Sequence, residues 1–272
     1  MSASTTSTPA AGLAFDRLAD RYDALFTESL IGRAQRNAVW SVLDKTFLPG
    51  DRVLELNCGT GEDALHLAGR GVTVVGCDAS ARMVEVARQK LAVNLPDAPA
   101  SFHQLANERV IDLAFRAPFD GLFSNFAGLN CISNLADVAD QLAGLVKPGA
   151  WILLCVCSRF CLWEVLLYGV RGQFSRAFRR FNGRSRAQLR GVDLEVHYPT
   201  VRQMKHYFAP WFELRSITAI GIGIPPSYME SWATKHSSLF RLLLRLDKLT
   251  RSLPGMRVLG DHVLLAFRRC DT

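Results

Sequence analysis

Apolar runs too short for helices recur along the chain and alternate with stretches whose apolar residues repeat at helical spacing. Runs of strand length cover residues 53–56, 71–78, 100–106, 119–126, 150–157, 211–220 and 261–268, each bounded by Gly, Pro, Asp, Asn or Ser. The run at 150–157 is apolar throughout and predicts a strand buried on both faces. Between the runs, residues 31–43 place Ile31, Ala34, Ala38, Val39, Val42 and Leu43 on one stripe, which predicts an amphipathic helix ending before Leu48-Pro49-Gly50. Helical patterns also cover 79–88, 134–146, 198–208 and 239–249. Alternation of this kind builds an α/β layer structure.

At 272 residues the chain has room for one large α/β domain with insertions, and 49% hydrophobic content supports a packed globule. Residues 1–10 are Ser, Thr, Ala and one Pro after Met1, without the apolar core of a signal peptide. The seven cysteines lie on predicted strands and helices rather than in a disulfide framework, so a cytoplasmic protein is expected. Cys155, Cys157 and Cys161 lack the C-x-x-C or Cys/His grouping of a zinc site and are expected to be core thiols, with no metal. The net charge of +7 is local. Residues 159–190 hold eight arginines against the single acid Glu164, a surplus of seven. Next to the apolar stretch 160–170, too short to span a bilayer, that arginine patch suits an anionic or lipophilic acceptor or peripheral contact with a membrane surface, or is a solvated helix face. Nucleic acid ranks below these because the adjoining stretch is dominated by apolar residues.

The chemistry concentrates at Glu55-Leu56-Asn57-Cys58-Gly59-Thr60-Gly61-Glu62-Asp63-Ala64, followed by the run ending in Cys77-Asp78. Strand, Gly-turn, helix, strand puts backbone N–H groups against a ligand and aims Asp78 at the same crevice, where an acid commonly holds the two hydroxyls of a ribose. The residues from Gly59 also fit G-x-G-x-x-A, the fingerprint of NAD(P)-dependent oxidoreductases. Against that stand an acid inside the strand and Asn57 where the fingerprint places its first Gly. A non-catalytic cofactor-binding module of the same fold is the remaining alternative.

Residues 55–61 resemble the first motif of class I S-adenosylmethionine-dependent methyltransferases, in the branch of the ubiquinone and menaquinone C-methyltransferases (methyltransferase type 11). Asn57 replaces the usual Gly, and Asn is the side chain that best tolerates positive φ. The resemblance implies a Rossmann-like sheet of seven mostly parallel strands with an antiparallel last strand, helices on both faces, and helical insertions after strands 5 and 6. It implies a disordered tail at 1–12, lid helices at 13–50, a cofactor-binding core at 51–158, a basic and apolar substrate lid at 159–197, and a C-terminal part of the core at 198–272 carrying the insertion 221–257.

It also implies S-adenosyl-L-methionine as cofactor, with S-adenosyl-L-homocysteine as product, and a small-molecule acceptor. Cofactor contacts expected are Glu55, Asn57, Cys58, Gly59, Thr60 and Gly61 from the motif, Asp78 and Ala79, and Met83 near the adenine. Asn107 or Glu108 would meet the adenine amino group, and Ser124 and Asn125 end the fourth strand. Tyr22 either lies over the methionine moiety or staples the N-terminal helix. Arg33 or Arg36 either reaches the cofactor carboxylate or is solvated. Phe126, Asn130, Trp163, Tyr198 and Tyr228 are expected around the acceptor. No general base is assigned, although His197, His206, His236 and His262 are candidates by type. Oligomeric state is left open.

Overall fold

The computed structural model describes residues 8–271. Helix α1 (Ala10–Asp16), the single turn α2 (Ala19–Tyr22) and a π-helical turn lead into the long α3 (Leu30–Thr46). Alternating units follow: β1 (Arg52–Leu56), α4 (Glu62–Ala68), β2 (Thr73–Asp78), α5 (Ala81–Asn94), β3 (Ala100–Gln104), β4 (Phe119–Ser124), α6 (Leu135–Ala143) and β5 (Val146–Cys157). A first insertion carries α7 (Leu162–Val170), α8 (Phe174–Ala177) and a hairpin of β6 (Arg184–Leu189) and β7 (Val192–His197). After α9 (Val201–Phe208) and β8 (Phe212–Ile220), a second insertion carries α10 (Glu230–Lys235) and α11 (Ser237–Thr250), and β9 (His262–Arg269) closes the sheet.

The main sheet has seven strands in the order β3-β2-β1-β4-β5-β9-β8, with β9 antiparallel to both β5 and β8 and the β1 to β5 pairings parallel. Strand order reverses between β1 and β4. In such open sheets the crevice outside the strand ends at that point receives the ligand.

Successive residues of a strand face opposite sides, so β1 feeds two cores. Leu54 and Leu56 join Leu122, Leu154, Phe208 and Phe267 on the face covered by α6 and α9. Val53 joins Phe123, Leu153, Leu43 and Leu67 on the face covered by α3 and α4. Full burial of each such side chain contributes roughly 1.5–3 kcal/mol. Helix starts are fixed by side chains: Ser29 Oγ accepts from Gly32 N, Ser80 Oγ from Met83 N, and Thr200 with Gln203 forms a reciprocal capping box.

Several expectations shift. Residues 1–7 of the expected tail lie outside the described residues, but Ala10 to Gly12 belong to α1, and Gly12 is buried so closely that a Cβ would stand 2.9 Å from the Ala79 carbonyl oxygen. The helix expected over 134–146 ends at Ala143, and Val146 to Gly149 belong to the start of β5. The first insertion is only half helical. Its arginine-rich second half is a β-hairpin whose Arg190 and Gly191 both adopt positive φ (51° and 78°), the geometry of a two-residue primed turn.

Candidate functional site

Past β1 the chain turns sharply, with Asn57, Gly59 and Gly61 at φ of 47°, 54° and 77°. At Gly61 only glycine fits, since a Cβ would lie 2.9 Å from Ala87 Cβ and from the Phe102 ring. Asn57 holds its left-handed conformation through its side chain, which accepts from Ser124 Oγ (2.6 Å) and donates to the Asn125 carbonyl (2.7 Å). It thereby ties the turn to the end of β4. Gly128 makes room for it: a Cβ there would fall 2.1 Å from Asn57 Cγ. From the end of β2, Asp78 accepts from Gly59 N (2.9 Å) and Ser80 N (2.8 Å), and burial raises its pKa against those two bonds.

Above the turn lies a cleft of about 720 Å³ including its mouth, within the range of small-molecule sites. Tyr22, Asn57, Cys58, Gly59, Thr60, Asp78, Ala79, Met83, Asn107, Asn125 and Phe126 all line it. Asn107 faces it from the start of a 3-10 helix just beyond β3, and its buried Oδ1 has no hydrogen-bond partner. Glu108 instead borders two adjoining cavities. Glu55, Gly61 and Ser124 support the turn from behind without lining the cleft. Glu55 is 1% exposed with Oε2 unpaired, and burial, reinforced by Asp63, raises its pKa well above the usual carboxylate range.

The N-terminal helices close the far wall. Asp16 Oδ1 accepts from Ser80 Oγ (2.6 Å) and Arg82 N (2.9 Å), Asp23 accepts from Thr60 Oγ1 (2.7 Å) and pairs with Lys90 (3.1 Å), and Phe15 lines the cleft beside Tyr22. Burial pushes the Tyr22 phenol up to about 12, so it stays protonated at neutral pH and can only donate or accept as a phenol. Tyr22 packs on Phe15 and Phe26, as a staple of the N-terminal helices would, and it also lines the cleft.

At one end the cleft meets a buried polar cluster that sequence reasoning did not assemble. Asp63 accepts from Trp40 Nε1 (2.6 Å) and Asn125 Nδ2 (2.9 Å) and pairs with Arg36 Nη1 (2.7 Å). Arg36 is 5% exposed, lines the cleft, leaves Nε without a partner, and lies over the rings of Phe26 and Phe126 (5.8 and 5.2 Å). The solvated alternative thus describes exposed Arg33 only. The signal available was Asp63 itself, the second acid of an N-terminal helical turn directly after the glycines.

Of the expected acceptor residues only Phe126 reaches the cleft, with Phe26 (5.0 Å) and His262 (5.5 Å) set edge-on against it. Asn130 is fully buried and bridges strand ends, donating to the His197 carbonyl (2.5 Å) and accepting from Cys157 N (2.9 Å). Trp163 donates to the Ile222 carbonyl, and Tyr198 is held by Ser185 and lies against Arg180. Tyr228 packs on Tyr168 and is 51% exposed. Asn130 thus ties the end of β5 to the end of the hairpin, Tyr198 fastens onto the hairpin's own Ser185, and Trp163 and Tyr228 join the two insertions to each other.

The arginine stretch is also partly structural. Buried Glu164 pairs with Arg179 (2.5 Å) and Arg180 (2.8 Å), Arg180 continues to Asp261 (2.7 Å), and Arg159 donates to the carbonyls of Tyr198 and Phe181. Cys161, Glu164 and Asp261 bring potential metal-ligand atoms within 4.8 Å of one another, but the Arg180 guanidinium already supplies the positive charge between the two carboxylates.

Residues 53–149 match a family model described as a methyltransferase domain. A demethylmenaquinone methyltransferase of Symbiobacterium thermophilum is 28% identical over 210 residues, 71% of this chain and 80% of the relative. A 2-phytyl-1,4-naphtoquinone methyltransferase of Trichormus variabilis is 32% identical over 143 residues, 50% of this chain and 59% of the relative. An S-adenosylmethionine dependent methyltransferase from Mesorhizobium loti has a similar fold, with a TM-score of 0.54 at 16% identity over 87% of this chain and 98% of that one. The glycine turn with Asp78, the 3-2-1-4-5 strand order and these likenesses agree, and the oxidoreductase and non-catalytic alternatives fall away. The chain is an S-adenosylmethionine-dependent methyltransferase whose fold and motif are similar to those of the class I enzymes and whose sequence resembles the demethylmenaquinone methyltransferases, and S-adenosyl-L-methionine is its cofactor.

Proposed function

We propose that the enzyme methylates a small lipophilic acceptor that enters against Phe126, with the methyl donor laid along the cleft from Asn107 to Arg36. The single observation that carries this reading is the wall at the cleft's acceptor end, where Phe126 is flanked by the rings of Phe26 and His262 and the Arg36 guanidinium lies over it. Quinone rings are named as acceptors in the two relatives, and a flat, largely apolar ring suits such a wall.

The donor groups of the cleft fit the cofactor. Asp78 has lone pairs left for the ribose hydroxyls after its two backbone bonds, and Met83, 1% exposed, offers a thioether to the adenine face. The orphaned Asn107 Oδ1 is an acceptor awaiting a donor such as the adenine amino group. A Cβ at Gly59 would meet nothing within 4 Å, so its absence widens the cleft. Arg36 Nε stands at the other end, matching a carboxylate. Bound there, the cofactor supplies an electrophilic methyl on a sulfonium sulfur. The residues' task is positional: Tyr22 and Phe15 shut water out, and the Phe126 wall holds the nucleophile about 3–3.5 Å from the methyl and in line. No base is assigned within reach of that position.

Transfer of a labelled methyl group to hydroquinones of increasing chain length, read as label extracted into organic solvent, tests the proposal. Label in the hydroquinone is expected, with the acceptor's KM rising about tenfold in Phe126→Ala, roughly the 1–1.5 kcal/mol of an aromatic contact. Labelling confined to charged, water-soluble acceptors would overturn it.

A further inference from the structure

The second insertion presents a face that the cleft does not use. Along α11, Leu239, Leu242, Leu246 and Leu249 are 47%, 51%, 45% and 72% exposed, and Leu253 just beyond is 48% exposed. Their spacing of three, four, three and four keeps them on one stripe of the helix. Arg241, Arg245 and Lys248 are exposed along one flank of that stripe. The helix's single acid, Asp247, is turned inward, 2% exposed and accepting from Gly223 N (2.9 Å). Burial raises its pKa further, and the outward face carries cations and leucines with no carboxylate among residues 237–250.

The opposite side of α11 is anchored. Phe240, 4% exposed, packs with Ile31 of α3, Ile224 and Ala233, and Glu230 of α10 accepts from Leu30 N and Ile31 N at the start of α3. Arg251 reaches back to Ser41 Oγ (3.1 Å) on α3. The exposed leucines are therefore held on a rigid support and are not the loose end of a marginal helix. The insertion stands on the helix that carries Arg36 into the cleft. Trp163 and Tyr168 of α7 pack on Trp232 and Tyr228, joining the first insertion, with its exposed Val170 and Phe174, to the same side chains.

Soluble proteins rarely expose a continuous leucine stripe, and one flanked only by cations has the composition of a helix that lies in the interface of an anionic bilayer. No helix among the described residues is long and apolar enough to cross a membrane. We infer that the outer face of α11 docks the enzyme on an anionic lipid surface, its leucines entering the acyl boundary and Arg241, Arg245 and Lys248 meeting headgroup phosphates. Charge complementarity selects the bilayer over a second copy of the chain, because pairing this face with itself would oppose six cations. The inference is independent of the acceptor proposed above.

Flotation of the full chain with vesicles of phosphatidylcholine alone, and of an equal mixture with phosphatidylglycerol, tests it. Binding to the anionic vesicles only is expected. Leu246→Glu with Leu249→Glu should abolish it, and neutralising Arg241, Arg245 and Lys248 to Gln should weaken it on the order of a hundredfold, about fivefold per cation. S-adenosyl-L-homocysteine binding unchanged in both variants shows that they are folded. Three results would overturn the inference: no flotation of the wild type, flotation indifferent to these substitutions, or self-association in solution that the leucine variant abolishes while vesicles are ignored.

Discussion

Asp78 is engaged by the protein before any ligand arrives, holding Gly59 N and Ser80 N with its two oxygens. Replacing it by Ala removes the ribose partner and loosens the turn together, so affinity for S-adenosyl-L-homocysteine should fall by about ten- to a hundredfold. Asn107→Ala should cost about tenfold. An inosine analogue, lacking the amino group, would bind wild type and variant alike if Oδ1 accepts from that group. Glu55 is a different kind of residue. Buried and with its pKa raised, it favours the folded state most when protonated, below its ordinary pKa, and that contribution is lost as pH rises toward the folded-state value. Glu55→Gln should therefore raise the thermal midpoint of the free enzyme at neutral pH. His262 runs the other way: burial lowers its pKa, Asp261 opposes and Arg180 assists, so its contribution is present above about 6.5 and lost as pH falls below that. Unfolding free energy measured between about pH 7.5 and pH 5 should fall less steeply in His262→Gln.

At the scale of elements, the local patterns that predicted strands and helices were those whose outcome depends on neighbours in sequence. Leu54, Leu56 and Val53 alternate as a strand between two cores must, and Thr200 with Gln203 caps α9 as its spacing suggests. The positive φ of Asn57 was legible too, because Asn is one of few residues that settles there. Asn57→Gly should nevertheless destabilise the enzyme by about 1 kcal/mol, since glycine keeps the turn but gives up the bonds to Ser124 and the Asn125 carbonyl and the packing on Gly128. What was not legible depended on distant partners. Trp163, Tyr198 and Asn130 looked like pocket residues by type, and each is instead claimed by a partner that is not a near neighbour in sequence: the Ile222 carbonyl, Ser185 with Arg180, and the His197 carbonyl. The hairpin of β6 and β7 hid behind its arginines, whose charge masked the Arg190-Gly191 turn and the β-branched Val192 and Val196.

For the whole molecule, strand order puts the glycine turn and the end of β4 side by side at the reversal point, and the N-terminal helices latch over it through Asp16 and Asp23. The two insertions build the outer surface and leave the cleft's polar end to α3 and α4, which is why the buried cluster of Arg36, Asp63, Trp40 and Asn125 draws on elements far apart in the chain. Closure by the latch implies that breaking it exposes the cleft. Asp16→Ala should speed release of S-adenosyl-L-homocysteine more than it slows association, measured by stopped-flow fluorescence. The central claim is that one methyl-donor site lies in this cleft and is held by Asp78. Calorimetric titration with S-adenosyl-L-homocysteine, alongside NAD and the Asp78→Ala variant, tests it most directly. Saturable binding at a single site, strongly weakened in the variant and absent for NAD, is the predicted result; binding that ignores the substitution, or that favours NAD, would contradict it.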